Sequence, residues 1–261
     1  MTALPSKRGC RRVALWCLVA AAISGDALRA AEPPAAGPVA FEKHDGQLDV
    51  TIGGKPFATY VWQDDAITRP YFAHVRAPGG TQVTRNHPPV AGQDLPDHAT
   101  FHPGIWMAFG DINGSDFWRL KAPVKFVEFT AEPQGGVDCG SFAVRNSYRD
   151  QRDPKHEVCR EDFRCSIRVV REGYLLSWDS TFTGDKKFAF GDQEEMGIGF
   201  RTATALRVEQ KSKDAPGLPP GHGELLDAEG RHNEDEIWGN SAAWCDYSGE
   251  VDGRRVVAPC G

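Results

Sequence analysis

Beyond residue 31 the sequence has no cluster of Lys and Arg. Lys186-Lys187 and Arg254-Arg255 are isolated pairs, and the formal net charge of the chain is −6. A chain this acidic is poorly suited to neutralising a phosphate backbone, so nucleic acid is not expected as a partner. Also missing beyond residue 31 is any apolar stretch near the about 20 residues a bilayer-crossing helix needs, so no membrane span is expected there. There is no C-x-x-C pair, which argues against zinc knuckles and thioredoxin-like redox chemistry. Glycine-rich phosphate loops, the G-x-S-x-G elbow and the dinucleotide fingerprint are absent as well. No long window shows a clean helical period, and no internal repeat is visible.

At the start of the chain, Lys7, Arg8, Arg11 and Arg12 precede an apolar run over 13–24 and a small-residue exit at Gly25-Asp26-Ala27 or Leu28-Arg29-Ala30. That order reads as a secretory signal peptide over 1–31, followed by a Pro/Ala linker over 32–40 and one domain over 41–261. The expected location is therefore periplasmic or extracellular. The signal carries five basic residues and one acid, so its removal leaves a net charge of −10. It also leaves five cysteines, Cys139, Cys159, Cys165, Cys245 and Cys260. An odd count leaves at least one thiol without a partner. Cys159 and Cys165 share parity on one extended segment, face the same side, and are expected to find partners elsewhere.

The composition is that of an all-β protein, with 28 glycines and 18 prolines. Residues 46–62 read as two strands around a tight Gly53-Gly54 turn, and 69–76 as a third strand closed by a turn at 77–80. A Pro-rich loop over 86–96 follows. Further strands are predicted over 125–132, 138–148, 157–171, 174–182, 186–190 and 197–208. Apolar and polar residues alternate over 163–169, as in a half-buried strand. The expected fold is a large antiparallel β-sandwich or supersandwich.

The densest chemistry lies over 97–118, DHATFHPGIWMAFGDINGSDFW, which holds two histidines, three acids and two tryptophans. His98 and His102 have the H-x-x-x-H spacing, but Ala99 stands where a zinc protease has its glutamate, and Pro103-Gly104 ends any helix. Helix and strand alike would put both imidazoles on one face. Asp97 is placed to orient one of them, and Trp106, Phe109, Phe117 and Trp118 can wall a cleft. A second constellation, Asp192, Glu194 and Glu195, gathers like charges that raise one another's pKa, as a general acid or base requires. Arg69 beside Pro70 can hold a carboxylate or a sugar hydroxyl, or a structural salt bridge. Trp238 and Trp244 either stack on a sugar ring or fill the core.

Four ordered motifs, RPYFAHVRAPGG, the 97–118 run, FGDQEEMGIGFR and IWGNSAAWCDYSG, resemble a bacterial family of exported proteins of unknown function. Its members often carry the label methane oxygenase PmoA. The resemblance covers 41–256 and implies a sugar-related role, because such proteins tend to be encoded among carbohydrate-degradation genes. Methane oxidation does not fit a chain without membrane spans. The commoner family motif reads D-H-P-H-H-R-G-L-W, so this chain lacks one histidine and the arginine. Members also continue past the Trp-Cys-Asp-Tyr-Ser-Gly strand, which implies that terminal strands are missing here. The leading expectation is an acid/base enzyme on a small or oligomeric carbohydrate, epimerase-, mutarotase- or lyase-like. In it Glu195, His98 and His102 are catalytic, and Arg69, Asp97, Trp106, Asp192 and Trp118 bind substrate. No metal is assigned in that reading, and the cofactor is left open. Two alternatives remain: a metal-dependent hydrolase or lyase using His98 and His102, and a non-catalytic carbohydrate-binding protein.

Overall fold

A computed structural model describes residues 37–194, 196–208, 217–218 and 220–261. The expected signal peptide, the first part of the linker and Glu195 lie outside the described residues. The first sheet has six strands in the order β1 (Val39–Lys43), β2 (Gln47–Ile52), β3 (Lys55–Val61), β4 (Tyr71–Ala73), β5 (Ile105–Phe109) and β10 (Met196–Phe200). The second runs β6 (Val124–Gln134), β7 (Cys139–Arg149), β8 (Glu157–Val170), β9 (Gly173–Thr183), and the third β11 (Glu224–Asp227), β12 (Cys245–Val251), β13 (Arg254–Cys260). All strand pairs are antiparallel. β1 takes up the last two residues of the expected linker.

The Gly53-Gly54 turn forms as expected. Both glycines have positive φ, 58° and 75°, the geometry of a two-residue hairpin whose twist matches its strands. Along β2 every second residue, Leu48, Val50 and Ile52, is buried. Along β8 the inward set is Cys159, Glu161, Phe163, Cys165 and Ile167. Cys159 and Cys165 thus share a face, but their expected pairing elsewhere does not occur: all five described cysteines are free thiols.

The six-stranded and four-stranded sheets pack face to face as a sandwich. Tyr60 of β3 lies 4.9 Å from Phe72 of β4 and 4.9 Å from Phe142 of β7, and Phe163 of β8 stacks on Trp178 of β9 at 4.2 Å. Val251, Val256 and Ala258 bring the third sheet into the same core. At one point the interface is polar. The buried Glu161 carboxylate accepts hydrogen bonds from Asn146 (3.0 Å), Ser180 (2.5 Å) and Tyr148 (3.3 Å). Burial raises its pKa against these bonds.

Three expected strands differ. The one over 69–76 shortens to β4, because Arg69 turns inward and His74 adopts a left-handed φ of 56°. Residues 186–190 make only an isolated bridge, Phe190 to Ile112. The strand over 197–208 stops at Phe200, and the chain turns into a short 3-10 segment, Thr204–Leu206. β5 arises inside the aromatic–histidine run, and a short helix α1 (Asn233–Ile237) forms in the acidic stretch before Trp238.

Candidate functional site

Residues 86–104, which lead into β5, contain no strand, so their carbonyls need other partners. Two arginine side chains, each at most 2% exposed, supply several of them and tie the stretch to the chain beyond β5. Arg85 Nη1 donates to the carbonyls of Leu95 (2.9 Å) and Asp97 (2.7 Å), and Nη2 to that of His102 (3.0 Å). Arg69 Nη1 donates to the carbonyls of Phe117 (3.0 Å) and Trp118 (2.6 Å), and Nη2 to that of Phe101. The guanidinium suits this task because it offers five donors in a rigid plane. Burial lowers both pKa values to about 10, which leaves both groups charged at neutral pH.

On this brace the backbone makes one helical turn, with the His102 N–H donating to the His98 carbonyl at 2.9 Å. The H-x-x-x-H spacing therefore does bring the imidazoles together, with ring centroids 4.8 Å apart. His98 has a left-handed φ of 48°, a strained conformation of the kind that concentrates at functional sites. Its Nδ1 lies 3.4 Å from the Asp97 carboxylate, and its side chain is 54% exposed. Asp97 is also paired with Arg201 at 2.6 Å and with Arg85 at 3.3 Å. Burial alone would raise the Asp97 carboxyl, but Arg201, Arg85 and His98 hold it below the ordinary carboxylate value.

His102 is the inner imidazole. It stacks on Trp106 at 4.9 Å with 13° between the planes, and Trp118 meets it edge-on at 5.9 Å. Burial lowers its pKa, and Arg201, His98, Arg69 and Arg85 lower it further, to about 3, so at neutral pH it is an uncharged hydrogen-bonding group. Two glycines permit this packing: a Cβ at Gly199 would stand 2.2 Å from the Trp106 ring, and one at Gly104 would stand 2.1 Å from the Phe72 carbonyl oxygen.

Burial corrects several expected roles. Trp106 and Trp118 are 2% and 8% exposed and support His102 from beneath instead of walling an open cleft. Arg69 is spent on backbone carbonyls. Asp192 is exposed, and the β5–β10 ladder sets it apart from the histidines. Met196 pairs with Phe109 and Phe200 with Ile105, so the acidic loop enters at the end of a ladder roughly 14 Å long from which His102 is most distant. Trp238 and Trp244 are 74% and 41% exposed, which removes core filling as their role. Among the described residues no three His, Cys, Asp or Glu side chains are grouped to hold a metal ion.

Two residues essential to the arrangement, Arg85 and Arg201, carried no assignment from the sequence. Arg201 closes a motif singled out for its acids. Its proximity to Asp97 comes from β10 pairing with β5, from its N–H bonding the Gly104 carbonyl at 2.7 Å, and from its carbonyl accepting the Arg85 N–H at 3.1 Å. A hollow of about 350 Å³ is lined by Trp62, Asp64, Thr68, Arg69, Lys125 and Phe126, and by neither of the paired histidines.

No curated protein and no solved structure matches this chain. Residues 47–258 contain every described element of this site, and over that span the chain belongs to the "Family of unknown function (DUF6807)".

Proposed function

We propose that the chain is an exported protein that acts on carbohydrate, with Asp97, His98 and His102 serving proton transfer in an epimerase, mutarotase or lyase type of reaction. One observation carries the reading: two imidazoles 4.8 Å apart, one exposed and aligned by a carboxylate, the other uncharged. Chemistry at a sugar carbon needs a group that exchanges protons with solvent and a second that holds the reacting oxygen. His98 is open to solvent and fits the first role. His102, uncharged and fixed against Trp106, fits the second as a hydrogen-bond partner. Arg201 keeps Asp97 ionised, so the carboxylate stays available to orient His98. Methane oxidation stays outside the proposal, since no helix among the described residues is long and apolar enough to cross a membrane.

The test is proton NMR of a panel of mono- and oligosaccharides incubated with the protein in deuterated water. Deuterium entering at carbon, bond cleavage or faster anomeric exchange is the expected result. His98→Ala should lower that rate by about 100-fold or more while sugar binding persists. Glu195→Gln, run in parallel, measures whether that carboxylate belongs to the same chemistry. Binding without turnover of any sugar would remove the enzyme reading. A second reading, a carbohydrate binder, is favoured by the exposure of Trp238 and Trp244, whose flat faces suit sugar stacking. Under it Trp238→Ala weakens binding and His98→Ala does not.

A further inference from the structure

Cys245 opens β12, Cys260 closes β13, and the ladder sets the two directly opposite each other. Side chains so placed point to the same face, with Cα atoms about 4.5–5.5 Å apart, inside the range of about 4.4–6.8 Å that a disulfide spans. Cys260 Sγ lies 3.4 Å from the Cys245 carbonyl oxygen, so this thiol already faces the neighbouring strand. Both cysteines are free thiols in this structure; Cys260 is exposed and Cys245 half-exposed, whereas Cys159 and Cys165 are buried. β13 is an edge strand, paired within its sheet to β12 alone.

We propose that Cys245 and Cys260 are a cross-strand disulfide site that fastens β13 to β12. With a small disulfide such as oxidised glutathione as the oxidant, the exposed Cys260 thiolate attacks and releases one glutathione thiol. Cys245 then attacks the mixed disulfide and expels the second. Two thiol protons leave, one S–S bond forms, and two electrons reduce the oxidant to two thiols. The staple's strand touches the strand that leads to the histidine site. Tyr247, two residues along β12 from Cys245, packs edge-on against Phe200 at 6.3 Å, and Phe200 precedes the Arg201 that holds Asp97.

The experiment uses the native full chain, reduced and then exposed to oxidised glutathione. Remaining thiols are alkylated, and the protein is digested with trypsin without reduction. Trypsin cuts at Arg254 and Arg255, between the two cysteines, so the bond would join two separate peptides. The expected result is that linked pair, absent from Cys260→Ser, together with a higher unfolding temperature of the oxidised wild type. Recovery of Cys245 and Cys260 as separate alkylated or glutathione-bearing peptides, or of Cys245 linked to Cys139, would overturn the proposal. Because the decisive readout is on the wild type, a variant that fails to fold does not blunt it.

Discussion

In β8 the backbone is paired on both sides by β7 and β9, and the inward residues from Cys159 to Ile167 enter the sandwich core. Over residues 86–104, between Arg85 and β5, the chain belongs to no strand and adds no residue to the buried sandwich core. Its carbonyls at 95, 97, 98 and 102 converge on the single Arg85 side chain, and that at 101 on Arg69, which also ties it to carbonyls 117 and 118 beyond β5. Sheet hydrogen bonds come from the backbone and depend little on which side chains are present, so a change there puts core packing, and at Glu161 a buried polar cluster, at stake and leaves the ladder in place. The histidine turn has handed its backbone pairing to two side chains, and each is a single point of failure. This division suits a site: the sheets hold the frame, and a short irregular segment places polar groups where no regular strand would.

The comparison makes graded predictions. The largest effect belongs to the sandwich: Phe142→Ala, which removes a ring touching Phe41, Tyr60, Phe72 and Phe163, should cost about 3–5 kcal/mol in urea unfolding. It should leave the local order of the 95–102 turn unchanged below the unfolding transition. Arg85→Met should cost about 3 kcal/mol, because hydrogen bonds to a charged group are lost and their carbonyls are left without a donor. Its mark is amide exchange speeding up over 95–102 while β8 stays protected. Equal acceleration in both regions would break the division drawn here.

Third comes Glu161→Gln. The folded protein holds the Glu161 proton more tightly than the unfolded chain does, so this group's contribution to stability falls as pH rises above its unfolded value. The variant should therefore gain on the wild type as pH rises, read as a growing difference in unfolding temperature. Asp97→Asn should be smallest, less than about 1 kcal/mol, since the pair is partly exposed. Its sign is opposite. The Asp97 carboxyl is lowered in the folded state, so its contribution is present above the unfolded value and is lost as pH falls through the folded one. Matching pH trends in the two variants would contradict the contrast between a buried lone acid and a paired surface one.

The hairpin at Gly53-Gly54, the four long strands β6 to β9 and the sandwich class were legible in the sequence, because a period of two and a glycine turn are properties of adjacent residues. The closeness of His98 and His102 was legible for the same reason, since four residues bring side chains together in helix and strand alike. Burial was not. Trp106 and Trp118 looked like walls of an open cleft because an aromatic next to a histidine reads the same above or beneath it. The strand expected over 186–190 has suitable residues but finds only a single bridge.

What the sequence determined by itself was the kind of fold and a short list of polar groups near one another along the chain, since both are written in local spacing. The tertiary structure alone decided which cation meets which carboxylate. Arg201 reaches Asp97 across 104 positions, and Arg85 gathers carbonyls that have no side-chain identity to read. Partner choice of that kind depends on strand order and burial, which arise only when distant segments pack and lose their water.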